Sequence, residues 1–172
     1  MGTFLITGFP YPYILDNLFN APGELGLTNI CEQYYNMYQS QSGTYQSGTI
    51  VLVKCSELDN LATVCANAVS ESRDAMAEVR RMGVQHYFYN DTNDYFFDFA
   101  HYYEQFTSAS RFAEFSAQLD KAVPYKASTQ RFLNLKIEHY CGLSCYIPKD
   151  AYPILNAHYK QLAWNQKVKV IE

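Results

Sequence analysis

Residues 49–83 read TIVLVKCSELDNLATVCANAVSESRDAMAEVRRMG and contain two apolar patterns in succession. Residues 50–53 are a continuous, mostly β-branched run, which predicts a strand buried on both faces, as in a sheet covered by helices. From residue 57 to residue 82 the apolar side chains recur at helical spacing and predict one long helix, which Gly83 ends. A strand that leads directly into a helix indicates an α/β fold.

Weaker patterns lie on both sides of this stretch. Residues 40–49 read SQSGTYQSGT and predict a polar loop before the strand. Apolar residues alternate on both sides of Gly142 and predict two short strands or one bulged strand. Asp150 is a predicted N-cap of a last helix. We therefore expect an α/β fold with a mixed sheet and flanking helices, in a single domain over residues 1–172.

Composition and charge limit the function classes. Of 172 residues, 48% are hydrophobic and 17% are charged, which excludes disorder for most of the chain. The formal net charge is −4 and no basic run is longer than Arg80-Arg81, so we expect no nucleic-acid partner. No apolar stretch approaches the roughly 20 residues that cross a bilayer, so we expect no membrane span. The 16 tyrosines favour surfaces that contact a ligand or another protein.

The five cysteines, an odd number, exclude a dense disulfide scaffold. The segment from Glu138 to Cys145 lacks a second Cys/His pair that could complete a zinc site, so we expect no metal, and no glycine-rich motif indicates a cofactor. Two interpretations of this segment stay open. In one, His139 activates Cys141, two positions along the same strand. In the other, Cys141 and Cys145 are small buried residues of a core strand.

Other titratable residues suggest structural roles. Each of the four histidines precedes a tyrosine, and the default interpretation for His86, His101, His139 and His158 is structural. The spacing of Asp91 and Asp94 in a turn is typical of solvated charges, and it does not indicate a catalytic acid and base.

Several stretches resemble clostripain-like cysteine peptidases. ITGFPY at residues 6–11, followed by ILDNLF at residues 14–19, looks like the segment just after the catalytic cysteine of that family. YFFDFA at residues 95–100 resembles its aspartate-aromatic helix start. AVPYK at residues 122–126 and YCGLSCYIP at residues 140–148 resemble its closing strands. The matching stretches cover nearly the whole chain in the family's order.

The resemblance implies the C-terminal portion of a caspase- and gingipain-like α/β fold. Family members are bacterial endopeptidases that cleave after basic residues with a Cys–His dyad, and a secreted or cell-envelope location is implied. The implied partners are the N-terminal catalytic half, or a second copy, through residues 3–12, and a peptide substrate in the complete enzyme. The same resemblance implies substrate contacts from Thr7, Gly8, Phe9 and Tyr11.

The family's dyad lies on a His-Gly dipeptide and an Asp-x-Cys segment. No histidine here precedes a glycine, and no cysteine has an aspartate two positions before it. The resemblance therefore implies no catalytic residue in this chain. Three hypotheses follow: a peptidase C-terminal part that is inactive alone, a non-catalytic Tyr-rich binding or interaction domain, or an independent thiol enzyme built on Cys141 or Cys145.

Overall fold

The computed structural model describes residues 23–88 and 94–172. The chain divides into two compact units. Unit 1 comprises Met1–Cys55 and Val123–Gly142, and unit 2 comprises Ser56–Ala122 and Leu143–Glu172. That the whole chain is a single domain stays a prediction.

Helices and strands both occur among the described residues, which confirms the α/β fold class. The helices are α1 (Glu24–Gln39), α2 (Leu58–Glu71), α3 (Arg73–Ala77), α4 (Phe99–Glu104), α5 (Ala109–Ala122), α6 (Pro153–Lys160) and α7 (Ala163–Val168). The strands are β1 (Thr49–Leu52), β2 (Phe97–Asp98), β3 (Tyr125–Ser128), β4 (Arg131–Phe132), β5 (Leu135–Lys136) and β6 (Ser144–Cys145). Short 3-10 helices lie at Gly43–Tyr45, Cys55–Glu57 and Arg81–Gly83. None of these helices combines the length and the apolarity that a bilayer crossing needs.

Unit 1 is built from α1, which packs against β1 and β3. β1 and β3 are antiparallel, with Leu52 opposite Tyr125, and β4 and β5 form a short hairpin. The buried apolar residues described in this unit are Ile30, Cys31, Leu52, Val123 and Cys141. Since most of these side chains are small or β-branched, the unit depends on close approach of its backbone segments.

Gly142 shows how close that approach is. Its φ is +87°, a left-handed conformation that glycine adopts without a steric penalty. A Cβ at this position would lie 2.7 Å from Cγ2 of Val51 and 3.2 Å from Cγ1 of Val123. The backbone therefore passes Val51 at a distance that leaves no room for a side chain.

Unit 2 has an aromatic core. α2 packs against α5 and α7, and α4 packs against α5. The rings of Tyr103 and Phe115 stack with their centroids 4.5 Å apart, and the Phe99 ring meets both of them in edge-to-face geometry. Aromatic pairs in this geometry add about 0.5–1.5 kcal/mol beyond the burial of their area. The core of unit 2 is thus made of large rings on two consecutive helices.

The predicted strand at residues 50–53 is confirmed for its first three residues. β1 is Thr49–Leu52, so Val53 follows the strand. The prediction of burial on both faces is wrong, because Ile50 and Val51 are half-buried and only Leu52 is buried. Among the described residues β1 has one strand partner, β3, and the strands pair as three two-stranded antiparallel sheets, β1–β3, β2–β6 and β4–β5.

The predicted long helix is wrong beyond Glu71. α2 ends there, Ser72 adopts φ −125° and ψ 26°, and the five-residue α3 follows. The physical reason lies in the apolar stripe. After Val69 the next positions on that face are Ser72 and Arg73, which supply no apolar surface to hold the helix against the core.

Candidate functional site

A cavity of about 300 Å³ lies within unit 2. α2 contributes Leu58 and Leu61 to its lining, and Phe99 at the start of α4 adds an aromatic ring. Residues 143–146, which contain β6, supply a further part of the wall. All of these segments contribute apolar side chains, so the lining of the cavity is largely apolar.

The C-terminal helices provide the remaining walls. Tyr159 of α6, Leu162 between the two helices and Trp164 of α7 line the cavity. The rings of Trp164 and Phe99 meet edge to face, with their centroids 5.8 Å apart. Trp164 is the only tryptophan in the chain, so its fluorescence reports on this cavity.

Pairing of β2 with β6 positions Cys145 in the wall. Phe97 lies opposite Cys145, and Asp98 lies opposite Ser144. Asp98 is the N-cap of α4, where its carboxylate accepts hydrogen bonds from the backbone N–H of His101 at 2.8 Å and from the Tyr87 hydroxyl at 2.7 Å. An N-cap of this kind fixes where the helix begins, and so it fixes the position of Phe99.

The lining carries no formal charge, because its residues are Leu, Phe, Ser, Cys, Tyr and Trp. Burial raises the pKa of Tyr159, and the neighbouring thiols of Cys145 and Cys65 raise it further. Tyr159 therefore stays neutral at physiological pH. One thiol with no histidine or carboxylate in the lining is not a ligand set for zinc, so the cavity suits neutral apolar groups.

The five cysteines are reduced, and their environments differ. Burial raises the pKa of the Cys65 thiol to about 12, and burial together with the charge of Glu32 raises that of Cys31 to about 11. Both stay protonated at neutral pH and are poor nucleophiles. Cys141 is buried, and Cys145 is half-buried in the cavity wall. Cys145 is therefore the thiol that a ligand in the cavity would meet.

A second polar feature of unit 2 surrounds Asp94, whose side chain is 4% exposed. Its carboxylate accepts hydrogen bonds from Arg81 Nη1 at 2.7 Å and from the Tyr152 hydroxyl at 2.7 Å. The Lys149 ammonium lies 3.5 Å from the same carboxylate. Burial raises the pKa of Asp94, but the Tyr152 hydrogen bond and the charges of Arg81 and Lys149 outweigh it, so this pKa lies below its usual value. The interpretation of Asp94 as a solvated turn charge is wrong.

The histidines are in dissimilar environments. His101 accepts a hydrogen bond at Nδ1 from the backbone N–H of Gln85, and His86 stacks on Phe88. His139 and His158 are exposed. Cys141 is buried while His139 is exposed, and neither lies in a strand, so the prediction that they share one face of a strand is wrong.

The residues predicted to contact substrate, Thr7, Gly8, Phe9 and Tyr11, lie outside the described residues, as do residues 3–12 as a whole. Sequence reasoning did not find the cavity or the Asp94 cluster. The cavity collects residues from Leu58 to Trp164, and no sequence motif links them. Asp94 and its partners Arg81 and Tyr152 are likewise not linked by a sequence motif.

Comparison with solved structures places the chain among known folds. An inactive zymogen C11 protease from Parabacteroides distasonis matches with a TM-score of 0.80 and 30% identity over 96% of this chain. A clostripain from Bacteroides thetaiotaomicron, solved with the peptide inhibitor BTN-VLTK-AOMK, matches with a TM-score of 0.73 and 26% identity over 92% of this chain. A cysteine protease from B. fragilis matches in fold with a TM-score of 0.81 at 24% identity over 92% of this chain.

The chain resembles part of a clostripain-like C11 cysteine protease. It spans 49% of the P. distasonis C11 chain, 70% of the B. thetaiotaomicron clostripain chain and 71% of the B. fragilis chain. No protein-family model matches it, and no curated protein matches it. The C11 likeness thus rests on the fold, together with 26–30% identity to two of these structures.

Proposed function

We propose that this chain is the C-terminal part of a clostripain-like cysteine endopeptidase that cleaves after Arg or Lys and is inactive without its N-terminal catalytic half. The observation that carries the proposal is the P. distasonis match, in which 96% of this chain corresponds to about half of a C11 protease. In the proposal, this part supplies walls and supporting helices, and the nucleophile lies on the other half.

The sequence supports inactivity of the chain alone. A cysteine peptidase needs a thiolate that a nearby imidazole activates, with donors for the oxyanion beside it. The His-Gly and Asp-x-Cys segments that carry this dyad in the family are missing here. Cys31 and Cys65 are held protonated by burial, which removes two of the five thiols as nucleophiles.

The choice of Arg or Lys rests on likeness to the relatives. The inhibitor bound to the B. thetaiotaomicron clostripain carries the sequence VLTK, which ends in lysine before the AOMK group. In the complete enzyme we propose that Thr7, Gly8, Phe9 and Tyr11 contact the peptide substrate. Residues 3–12 would also contact the N-terminal half or, in its absence, a second copy of the chain.

The decisive experiment measures hydrolysis of a peptide reporter with lysine or arginine before the scissile bond. We expect no hydrolysis by this chain alone and activity once the N-terminal half is supplied. Activity of the chain alone, lost in Cys145→Ala, would replace the proposal with an independent thiol enzyme. No activity in either case would favour the second candidate, a non-catalytic Tyr-rich binding domain, which the aromatic cavity of unit 2 supports.

Sizing tests the proposed contact through residues 3–12. We expect the chain alone to self-associate at low micromolar concentration, because these residues include Phe4, Leu5, Ile6 and Phe9, which would lack their proposed cover. Phe4→Ser and Ile6→Ser should return it to a monomer. A wild-type chain that is already monomeric, with neither substitution changing its solubility, would contradict the contact.

A further inference from the structure

The cavity of unit 2 has a volume and a lining that indicate a small ligand. Its volume of about 300 Å³ is at the lower end of the range for ligand pockets in proteins, about 300–1,000 Å³. That size accommodates one small ring system rather than a peptide. A small organic molecule is therefore the occupant that the volume favours.

The chemistry of the wall excludes charged occupants. No lining residue carries a formal charge, and the raised pKa of Tyr159 keeps that group neutral as well. A charged ligand would lose part of its hydration on entry and find no counter-charge in the wall, which disfavours it relative to an uncharged ligand. Pockets lined mainly by apolar and aromatic side chains bind uncharged, largely apolar molecules.

The aromatic side chains favour a planar ligand. Phe99 and Trp164 meet edge to face, and Tyr146 and Tyr159 lie with their ring centroids 5.3 Å apart. The hydroxyl of Tyr146 is directed to Asn156 Oδ1 at 2.6 Å, which fixes that ring. The Tyr159 hydroxyl has no hydrogen-bond partner among residues 23–88 and 94–172, so it can bond to a ligand.

We propose that this cavity binds a small uncharged aromatic molecule, with Tyr159 as its polar contact and the Cys145 thiol in its wall. The ligand enters unit 2 independently of the peptidase reaction. Binding therefore does not require the N-terminal half, and it can be measured on this chain alone.

Two matched probes test the proposal. Fluorobenzene and 4-fluorobenzoate differ by a carboxylate, and ¹⁹F line broadening measures the binding of each. We expect the chain to broaden the fluorobenzene line and to leave the 4-fluorobenzoate line unchanged. Fluorobenzene should also shift or quench the emission of Trp164. Absence of broadening at millimolar fluorobenzene, or equal broadening of both probes, would overturn the proposal.

A pair of variants locates the binding site. Leu162 is 51% exposed, lines the cavity and is the N-cap of α7, where an aspartate stabilises a helix. Ile154 is 75% exposed, lies in the first turn of α6 and is not part of the lining. Leu162→Asp should weaken fluorobenzene binding about tenfold or more, and Ile154→Asp should change it less than about twofold. Equal effects of the two substitutions would place the binding elsewhere and contradict the proposal.

Thiol labelling gives an independent readout. Cys145 lines the cavity, whereas Cys55 is exposed and is not among the lining residues. Saturating fluorobenzene should slow maleimide labelling of Cys145, measured by peptide mass mapping, and leave the rate at Cys55 unchanged. Unchanged labelling of Cys145 at a fluorobenzene concentration that saturates the ¹⁹F signal would show that the ligand does not occupy this cavity.

Discussion

The two units are stabilised in opposite ways. Unit 2 is held by large rings, with Phe99 contacting the stacked pair of Tyr103 and Phe115. In the described part of unit 1, the backbone instead packs directly against side chains at two glycines. A Cβ would lie 2.7 Å from Val51 at Gly142 and 2.8 Å from Tyr38 at Gly48. Substitutions that remove side-chain atoms should therefore destabilise unit 2, and substitutions that add a side-chain atom should destabilise unit 1.

The largest effect is expected from removing a ring in unit 2. Phe115→Ala should lower the free energy of unfolding by about 3–5 kcal/mol, because Phe115 is fully buried and contacts three other rings, those of Phe99, Tyr103 and Phe112. Denaturant unfolding followed by Trp164 fluorescence measures this, since Trp164 belongs to the same unit. Phe96→Ala, at an exposed position, should cost less than about 1 kcal/mol. Similar losses in the two variants would mean that the ring stack does not stabilise unit 2.

The converse experiment adds one methyl group to unit 1. Gly142→Ala should cost about 2–4 kcal/mol, because it combines a positive φ with a contact to Val51 that only a shift of Val51 or of the backbone can relieve. Hydrogen exchange of the β1 amides measures the loss locally. Gly43→Ala is the control in the same unit, since Gly43 also has a positive φ of +61° but its Cβ would meet nothing within 4 Å, so it should cost only about 1–2 kcal/mol. A neutral Gly142→Ala would remove the proposed contrast between the units.

Asp94 gives unit 2 a polar contribution that depends on pH. Asp94→Asn should cost about 1–3 kcal/mol at pH 7, because it removes the charge that Arg81 and Lys149 face. The folded-state pKa of Asp94 is lowered, so its contribution is present above the unfolded pKa of about 4 and is lost as pH falls through the folded value. The difference in unfolding free energy between wild type and Asp94→Asn should therefore shrink below about pH 4.

Urea unfolding of both proteins between pH 7 and pH 2 checks this expectation. Asp150→Asn is the control. Because Asp150 is exposed, this substitution should change the free energy of unfolding by less than about 0.5 kcal/mol. A difference between wild type and Asp94→Asn that is constant down to pH 2 would contradict an ionised, stabilising Asp94.

Most of the α/β pattern could be predicted from the sequence, because the apolar patterns of β1 and α2 lie within short, continuous stretches of the chain. The end of α2 is also encoded in the sequence, because Ser72 and Arg73 interrupt the apolar stripe. The Asp94 cluster depends on Arg81 and Tyr152, which lie 13 and 58 positions away along the chain. Contacts over such separations arise from packing, and the residue types alone do not predict them. The substrate contacts at Thr7, Gly8, Phe9 and Tyr11 stay predictions.

The smallest effect is expected at the β4–β5 turn of unit 1. Leu133 has a φ of +51° at the first of the two turn residues, a position that favours glycine. Leu133→Gly should raise the free energy of unfolding by roughly 0.5–1 kcal/mol, because relief of the left-handed strain exceeds the entropy cost of glycine. Hydrogen exchange of the hairpin measures this gain. Leu135→Gly, in β5, should be destabilising, and a loss in both variants would contradict strain at Leu133.

The proposed function places this chain in a C11-type peptidase whose nucleophile lies on the N-terminal half. The most direct measurement is the intact mass of the chain after incubation with a lysine-terminated peptide inhibitor such as VLTK-AOMK. We expect no adduct on the chain alone. With the N-terminal half present, we expect one inhibitor mass on that half and none on this chain. A stoichiometric adduct on Cys141 or Cys145 would contradict the claim, because the reactive thiol would then lie within these 172 residues.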